Sequence, residues 1–566
     1  MVIAVVGLGP RGLVILERMI SLLVAMNNIN SEVKFLLFDN NGLGGSLVYD
    51  VHSDNLLLNT ICCQITLYSG EITKNLGPTF TGPSLYEYCK QQNLDADITE
   101  FSYLPRSYFY KYMQDFARQQ LDRLQDINIR HSVIKAEVIK IDYNSQNDGS
   151  ILLYTNDNCY KVDQAILCTG HGNKKNQYTK NCWSQILNVD GIAERIIPNQ
   201  KLLIQGMGLV SFDIISELTE SLGGKFIVDN EERLEYIKSG LEPKIYLYSR
   251  TGLPLFGKGA RHHQIPQHQA THFSIENINA IIEKQTVFDF ESDFLPLLLK
   301  EISDKYKSMC CEHRFNVDKF FYPHHDISKN NFSEFLDNTI KYLTDDLQAA
   351  KEGIEENVFK SACEIIRDLR DNLRLCVEQK RLTTESHKKF LEHYNPIFNK
   401  LCVGPPYCRI EQLLALIRAN IVSLDIAYNP TVTRTDKGFL AISKFADGST
   451  NTVCADYLIV ANIPEVDYLM ANSPLWVELA NTSNCLFKNQ ELRIGGVEID
   501  QFSRIANNHG SILNDGLYAF GIPTEGSKYF TYVLPRPDVV STFLKDANII
   551  AKHIINKLEN NHAKTN

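Results

Sequence analysis

The chain has 566 residues, 44% hydrophobic and 22% charged, with a net charge of −10. That length exceeds one ordinary core and predicts about two to four domains. An acidic balance with no dense Lys/Arg run argues against a nucleic-acid partner and for small-molecule work. The 14 cysteines include no CxxC. Cys62-Cys63 and Cys310-Cys311 are adjacent pairs and the rest are scattered, so reduced thiols in a cytoplasmic protein are expected, not a disulfide framework. Residues 1–26 are apolar, but no basic segment leads them and Arg11, Glu17 and Arg18 interrupt them. Neither a signal peptide nor a membrane span is expected.

The elements read as an alternating α/β pattern. VIAVV at 2–6 is a buried parallel strand, followed by a glycine turn and a helix with Leu13, Leu16, Met19, Ile20 and Leu23 at helical spacing. VKFLLFD at 33–39 closes a βαβ unit. Residues 85–120 read as helices, and 131–142 with 151–155 as hairpin strands. DQAILC at 163–168 is a strand ending in Thr169-Gly170. A second unit begins with KLLIQ at 201, turns, forms a helix to about residue 221, and ends in KIYLYS at 244–249. Residues 273–402 carry long helical patterns and few glycines, the signature of a helical insertion. A helix at 409–420, strands at 455–461 and 516–521, and a final helix at 538–557 follow.

Gly7-Leu8-Gly9-Pro10-Arg11-Gly12 fits GxGxxG between a strand and a helix. Gly7 permits the tight turn, Gly9 admits a pyrophosphate, and Gly12 lets the helix pack on the strand. The helix start then offers free N–H groups to phosphate. Asp39, at the second strand end, suits a ribose. Thr169-Gly170 brings backbone close to the same dinucleotide. Gly206-Met207-Gly208-Leu209-Val210-Ser211 repeats the pattern with Ser211 in the third glycine's place. The strand after it ends Tyr248-Ser249-Arg250, with no acid to repel a 2′-phosphate, so NADPH is expected there. Two such turns predict FAD at the first, NADPH at the second, and hydride passing between them.

Arg261-His262-His263-Gln264-Ile265-Pro266-Gln267-His268 is rich in histidine, but no acid or thiol stands at ligand spacing, so no metal is expected and the stretch reads as a polar loop.

The blocks GLGPRGLVILERM, DNLLLNTICCQITLYSG, GPSLYEYC, LPRSYFYKYM, GMGLVSFDIISELTESLGGKF, YLYSRTGLPLFGKG and GLYAFGIPTEGSKYFTYVLPRPDVVSTFL together resemble the bacterial FAD/NAD(P)-binding proteins that carry GPRG in the first turn. More distantly, the order Gln64, Pro83-Ser84, Arg106, Tyr112 and GxGxxS is similar to the NADPH-dependent N-hydroxylating monooxygenases of lysine and ornithine. The resemblance implies Gln64 beside the flavin ring, Asn59 and Thr60 near the cofactor, and the glycine-rich GIPTEG at 521–526, with Gly521, near the flavin. Two positions depart from the pattern: Ala461-Asn462 replaces Ala-Thr-Gly, and Gly521 is followed by Ile522-Pro523 instead of an acid.

The expected fold is two Rossmann-like dinucleotide-binding domains with a helical insertion. Residues 1–198 and 481–566 would form the FAD domain, and 199–272 and 403–480 the NAD(P) domain. The expected activity is an FAD- and NADPH-dependent monooxygenation of a small amine through a peroxyflavin, with molecular oxygen as co-substrate. A flavin-dependent reductase without oxygen insertion and a non-catalytic dinucleotide-binding regulator are the alternatives.

Overall fold

The computed structural model describes the chain except residues 27–32, 71–76, 144–148, 172–176, 185–187, 311–314, 463–465, 470, 538, 540 and 566. Cys311, part of one adjacent cysteine pair, therefore lies outside the described residues.

The first sheet has five parallel strands in the order Leu517–Ala519, Gln164–Leu167, Val2–Val6, Lys34–Phe38, Arg130–Ile134. The apolar runs are continuous because both faces are covered. Ile3, Val5, Phe35 and Leu37 pack under the helices Pro10–Val24, Arg106–Asp126 and Thr542–Thr565. Ala4, Val6, Leu36 and Phe38 face the opposite way, against a three-stranded antiparallel layer and the helix Pro474–Ser483. One expectation is corrected here. Residues 130–134 are the fifth parallel strand, not a hairpin arm, and the antiparallel layer begins at Lys140–Asp142. RHSVI sits at the sheet edge and is largely uncovered, so it lacks the apolar run that marks the central strands.

The second sheet has the order Val422–Ser423, Lys244–Tyr248, Lys201–Gln205, Tyr457–Val460, Cys182–Ser184, Gln177–Tyr178. All neighbours are parallel except the last pair. The chain thus joins the second sheet at 177–184, ahead of the 198/199 boundary read from the sequence. It returns by the helix Pro474–Ser483, ahead of the 480/481 boundary. Two- and three-residue strands carry no periodicity to read.

Helices between Ile275 and Cys402 enclose their own core, in which Phe290, Phe294, Phe390 and Phe398 pack together. Phe256, Tyr529 and Phe530 join that core, so the insertion is fastened to both sheet regions. His387 is 1% exposed within the insertion, and its Nδ1 accepts from Asn489 Nδ2 at 3.2 Å. Burial pushes its pKa down to about 4. An unfolded imidazole protonates near pH 6.5, so the unfolded state binds more protons between pH 6.5 and 4. Stability should therefore fall as pH falls through that window, by up to roughly 3 kcal/mol from this group. His387→Gln should flatten that slope in melting curves taken across pH; an unchanged slope would show that other groups set it.

No helix among the described residues is long and apolar enough to cross a membrane.

Candidate functional site

The first glycine turn has the backbone its sequence demands. Gly7 holds φ +95°, and a Cβ there would lie 2.5 Å from the Cys168 carbonyl oxygen. A Cβ on Gly12 would lie 1.9 Å from the Gly7 carbonyl oxygen. Gly9 is the N-cap of the helix Pro10–Val24, with no side-chain cap and no acid in the first turn. Its N–H end is open to an anion. Asp39 accepts from Leu8 N and Asn41 N, both at 2.8 Å. Burial raises its pKa, against the pull of those two donors.

Arg11 is held by the C-terminal segment. Its Nη2 donates to the Thr531 carbonyl at 2.7 Å, and its guanidinium lies 3.6 Å from the Phe543 ring centroid. Burial lowers its pKa to about 9. A Cβ on Gly521 would meet Arg11 Cγ at 2.9 Å, so these two predicted positions touch each other. Thr169 Oγ1 accepts from Trp476 Nε1 at 2.7 Å, and the Gly170 carbonyl accepts from Tyr468 Oη at 3.4 Å.

The second turn is built alike. Gly208 caps the helix Leu209–Glu217, again with no side-chain cap and no acid in its first turn. The Ser211 hydroxyl donates to the Gly208 carbonyl at 2.6 Å, which accommodates a side chain where the first turn needs glycine. Gly206 holds φ +104°, and a Cβ there would approach Asn462 Oδ1 to 2.6 Å. The departing residue Asn462 therefore rests against the first glycine of this turn. Arg250 is exposed at the end of its strand and lines neither cavity described below.

A cavity of about 760 Å³ is lined by Gly7, Gly9, Pro10, Arg11, Asp39, Asn59, Thr60, Gln64, Thr169 and Gly170. It falls in the size range of small-molecule and cofactor sites. A second cavity of about 870 Å³ adjoins it, and Asn59, Thr60, Lys258, Arg367 and Cys402 line both. Gln64 accepts from Arg367 Nη2, and the Asn59 carbonyl accepts from Lys258 Nζ. Arg106 pairs with Asp213 at 2.5 Å, tying the helix Arg106–Asp126 to the helix after the second turn. The two neighbouring thiols are not poised for chemistry. Burial pushes Cys62 up to about 12 and Cys63 to about 11. In the histidine-rich loop, Arg261 and His262 line the second cavity and His268 pairs with Glu301.

Sequence reading missed Lys258, Arg367, Arg370 and Arg536 as cavity residues. Lys258 lies within the block FGKG, which offered a signal. Arg367 and Arg370 lie on insertion helices, where an arginine reads as a solvated surface residue.

Comparison with known proteins bears on these features. Residues 4–172 match the family described as FAD-NAD(P)-binding. The chain is similar to nitrosuccinic acid synthase npaA of Aspergillus oryzae, with 26% identity over 97% of this chain and 92% of that protein. It is similar to an L-aspartate N-monooxygenase (nitrosuccinate-forming) of Streptomyces davaonensis, with 24% identity over 97% and 96%. It also aligns over 99% of both chains with the crystal structure of L-lysine 6-monooxygenase from Pseudomonas syringae, at 12% identity and a TM-score of 0.41, too low to carry residues or activity across. The open helix starts, the side-chain-free glycines and the strand-end acid fit the dinucleotides that the matched family binds. The chain is a flavoprotein oxidoreductase that uses FAD and NAD(P), with two Rossmann-like dinucleotide-binding regions.

Proposed function

We propose that the chain is a monooxygenase that oxygenates the amino nitrogen of a small amino acid, with L-aspartate as the first candidate. The observation that carries this reading is similarity along 97% of the chain to two proteins named L-aspartate N-monooxygenase and to one named nitrosuccinic acid synthase, spanning both turns and the insertion. Gly7, Gly9, Gly12 and the helix start behind them would hold the FAD pyrophosphate, with Asp39 on the ribose and Thr169-Gly170 and Gly521 alongside. Gln64 would lie near the ring, and Asn59 and Thr60 near the cofactor. Gly206, Gly208 and Ser211 would hold NADPH, and Arg250 its 2′-phosphate. Bound flavin, once reduced by NADPH, supplies the oxygen activation. The protein's part is to retain the cofactors, orient the amine and keep bulk water out. A cytoplasmic site of action belongs to this reading, since every described cysteine is free.

Purified protein supplied with FAD, NADPH and oxygen should convert L-aspartate to products carrying added oxygen on nitrogen, detected by mass spectrometry. NADPH oxidation that yields only hydrogen peroxide or a reduced acceptor would instead establish a reductase. Arg250→Ala should raise the KM for NADPH about tenfold, the scale of one charge-assisted contact at an exposed position, and leave that for NADH unchanged. Equal loss for both would remove Arg250 from the 2′-phosphate.

A further inference from the structure

Positive charge accumulates where the helical insertion closes on the two cavities. Lys258, Arg367, Arg370 and Arg536 line the first cavity, and Arg261 lines the second. Two carboxylates answer these five cations. Glu364 pairs with Arg261 and Arg367, and Asp368 with Arg536 at 3.4 Å. Of the other acids on these walls, Asp39 accepts from backbone N–H groups, Asp213 pairs with Arg106, and Glu100 accepts from Gln264.

Two cations have no acid partner among the described residues. Lys258 Nζ donates to the Asn59 carbonyl. Arg370 Nη2 donates to Cys402 Sγ at 3.1 Å, and its guanidinium lies 3.9 Å from the Phe530 ring centroid. The local field agrees. Burial, followed by Arg367 and Arg370, depresses Lys258 well below the usual lysine range. Although burial pushes Glu364 up, Arg367, Arg261 and Arg536 hold it at about 2. Half-buried cations without counter-charge are costly, so a cavity that keeps them suits an anion.

We propose that Lys258 and Arg370 each read one carboxylate of a dicarboxylic amino acid, so that the loop at Lys258 and the helical insertion together set the specificity of the enzyme. The inference rests on the amino-acid monooxygenase reading above. Two unpartnered cations call for two anionic groups. Arg370 offers a planar fork suited to carboxylate, and Lys258 a point charge. Lys258 touches Asn59, assigned to the cofactor, and Arg367, three residues before Arg370, touches Gln64, assigned to the flavin ring. The substrate amine, between its carboxylates, would then lie at the wall common to both cavities.

The test is calorimetric titration of flavin-loaded protein with succinate, with succinamate, and with inorganic pyrophosphate. Succinate should bind, and succinamate roughly tenfold to hundredfold more weakly, the scale of one charge-assisted contact. Lys258→Met and Arg370→Met should each weaken succinate by a similar factor, while Lys258→Arg and Arg370→Lys recover part of it. Flavin content and circular dichroism identify variants that fail to fold, and the conservative pair then decides. Succinate affinity unchanged in the folded Met variants, or pyrophosphate binding better than succinate, would overturn the proposal. If aspartate is oxygenated with an unchanged KM in both variants, this assignment fails alone. If succinate behaves as expected but no amine is oxygenated, the monooxygenase reading fails and the dicarboxylate site stands.

Discussion

Gly12→Ala should destroy both flavin retention and the stability of the first sheet region. Its Cβ would lie 1.9 Å from the Gly7 carbonyl oxygen and 3.3 Å from Val5 Cγ1. The nearer atom is backbone, so no side chain can turn aside. The helix Pro10–Val24 must move off the sheet, taking Leu13, Leu16 and Met19, all fully buried, with it. Overpacking of this kind costs on the order of 3 kcal/mol. Gly9→Ala is the informative partner. Its Cβ would meet only the Gly45 carbonyl oxygen at 3.5 Å, an ordinary contact. That variant should melt near the wild-type temperature yet bind FAD weakly, because the space it fills is the one assigned to pyrophosphate. Flavin absorbance after purification and thermal melting separate the two. A yellow, stable Gly12→Ala protein would refute the close-packing role.

Lys360→Met should cost about 3–5 kcal/mol, the penalty for leaving one partner of a buried ion pair behind. Lys360 Nζ contacts Asp346 Oδ1, with side chains only 2% and 4% exposed. The pair also clasps one residue of the loop beside the cavities. Lys360 donates to the Gly257 carbonyl at 2.7 Å, and Asp346 Oδ2 accepts from Gly257 N at 2.8 Å. Gly257 precedes Lys258, so loosening the clasp should also weaken succinate binding. Replacing both partners, Lys360→Met with Asp346→Leu, should recover much of the stability, since a packed apolar pair is often as stable as a buried ionic one. Urea unfolding of the four proteins measures this. Strictly additive losses would show that the two side chains do not act together.

Much of the architecture was legible in short-range pattern. Strands buried on both faces show as continuous apolar runs, and both glycine turns show as motifs whose flanking strand and helix are readable. Edge elements escaped for the same reason in reverse. Arg130–Ile134 and Cys182–Ser184 are short or half-covered, so nothing in their residues declares which sheet they join. For Arg11 the motif gave a place at the turn but not a partner, because a cation's partner is set by what packs against it, here the Thr531 carbonyl and the Phe543 ring.

By itself the sequence determined that two dinucleotide turns exist, that the second tolerates Ser211, and that a long helical segment interrupts the second region. Those are local properties: steric demands within a few residues, or periodicity along one element. The chamber was decided only by tertiary structure. Lys258, Arg370 and Arg536 are far apart in the chain and each reads alone as a solvated cation. Folding the insertion back over Asn59 and Gln64 brings them to one cavity and leaves Lys258 and Arg370 with no acid partner among the described residues, and charge balance across such separations is a property no segment carries on its own.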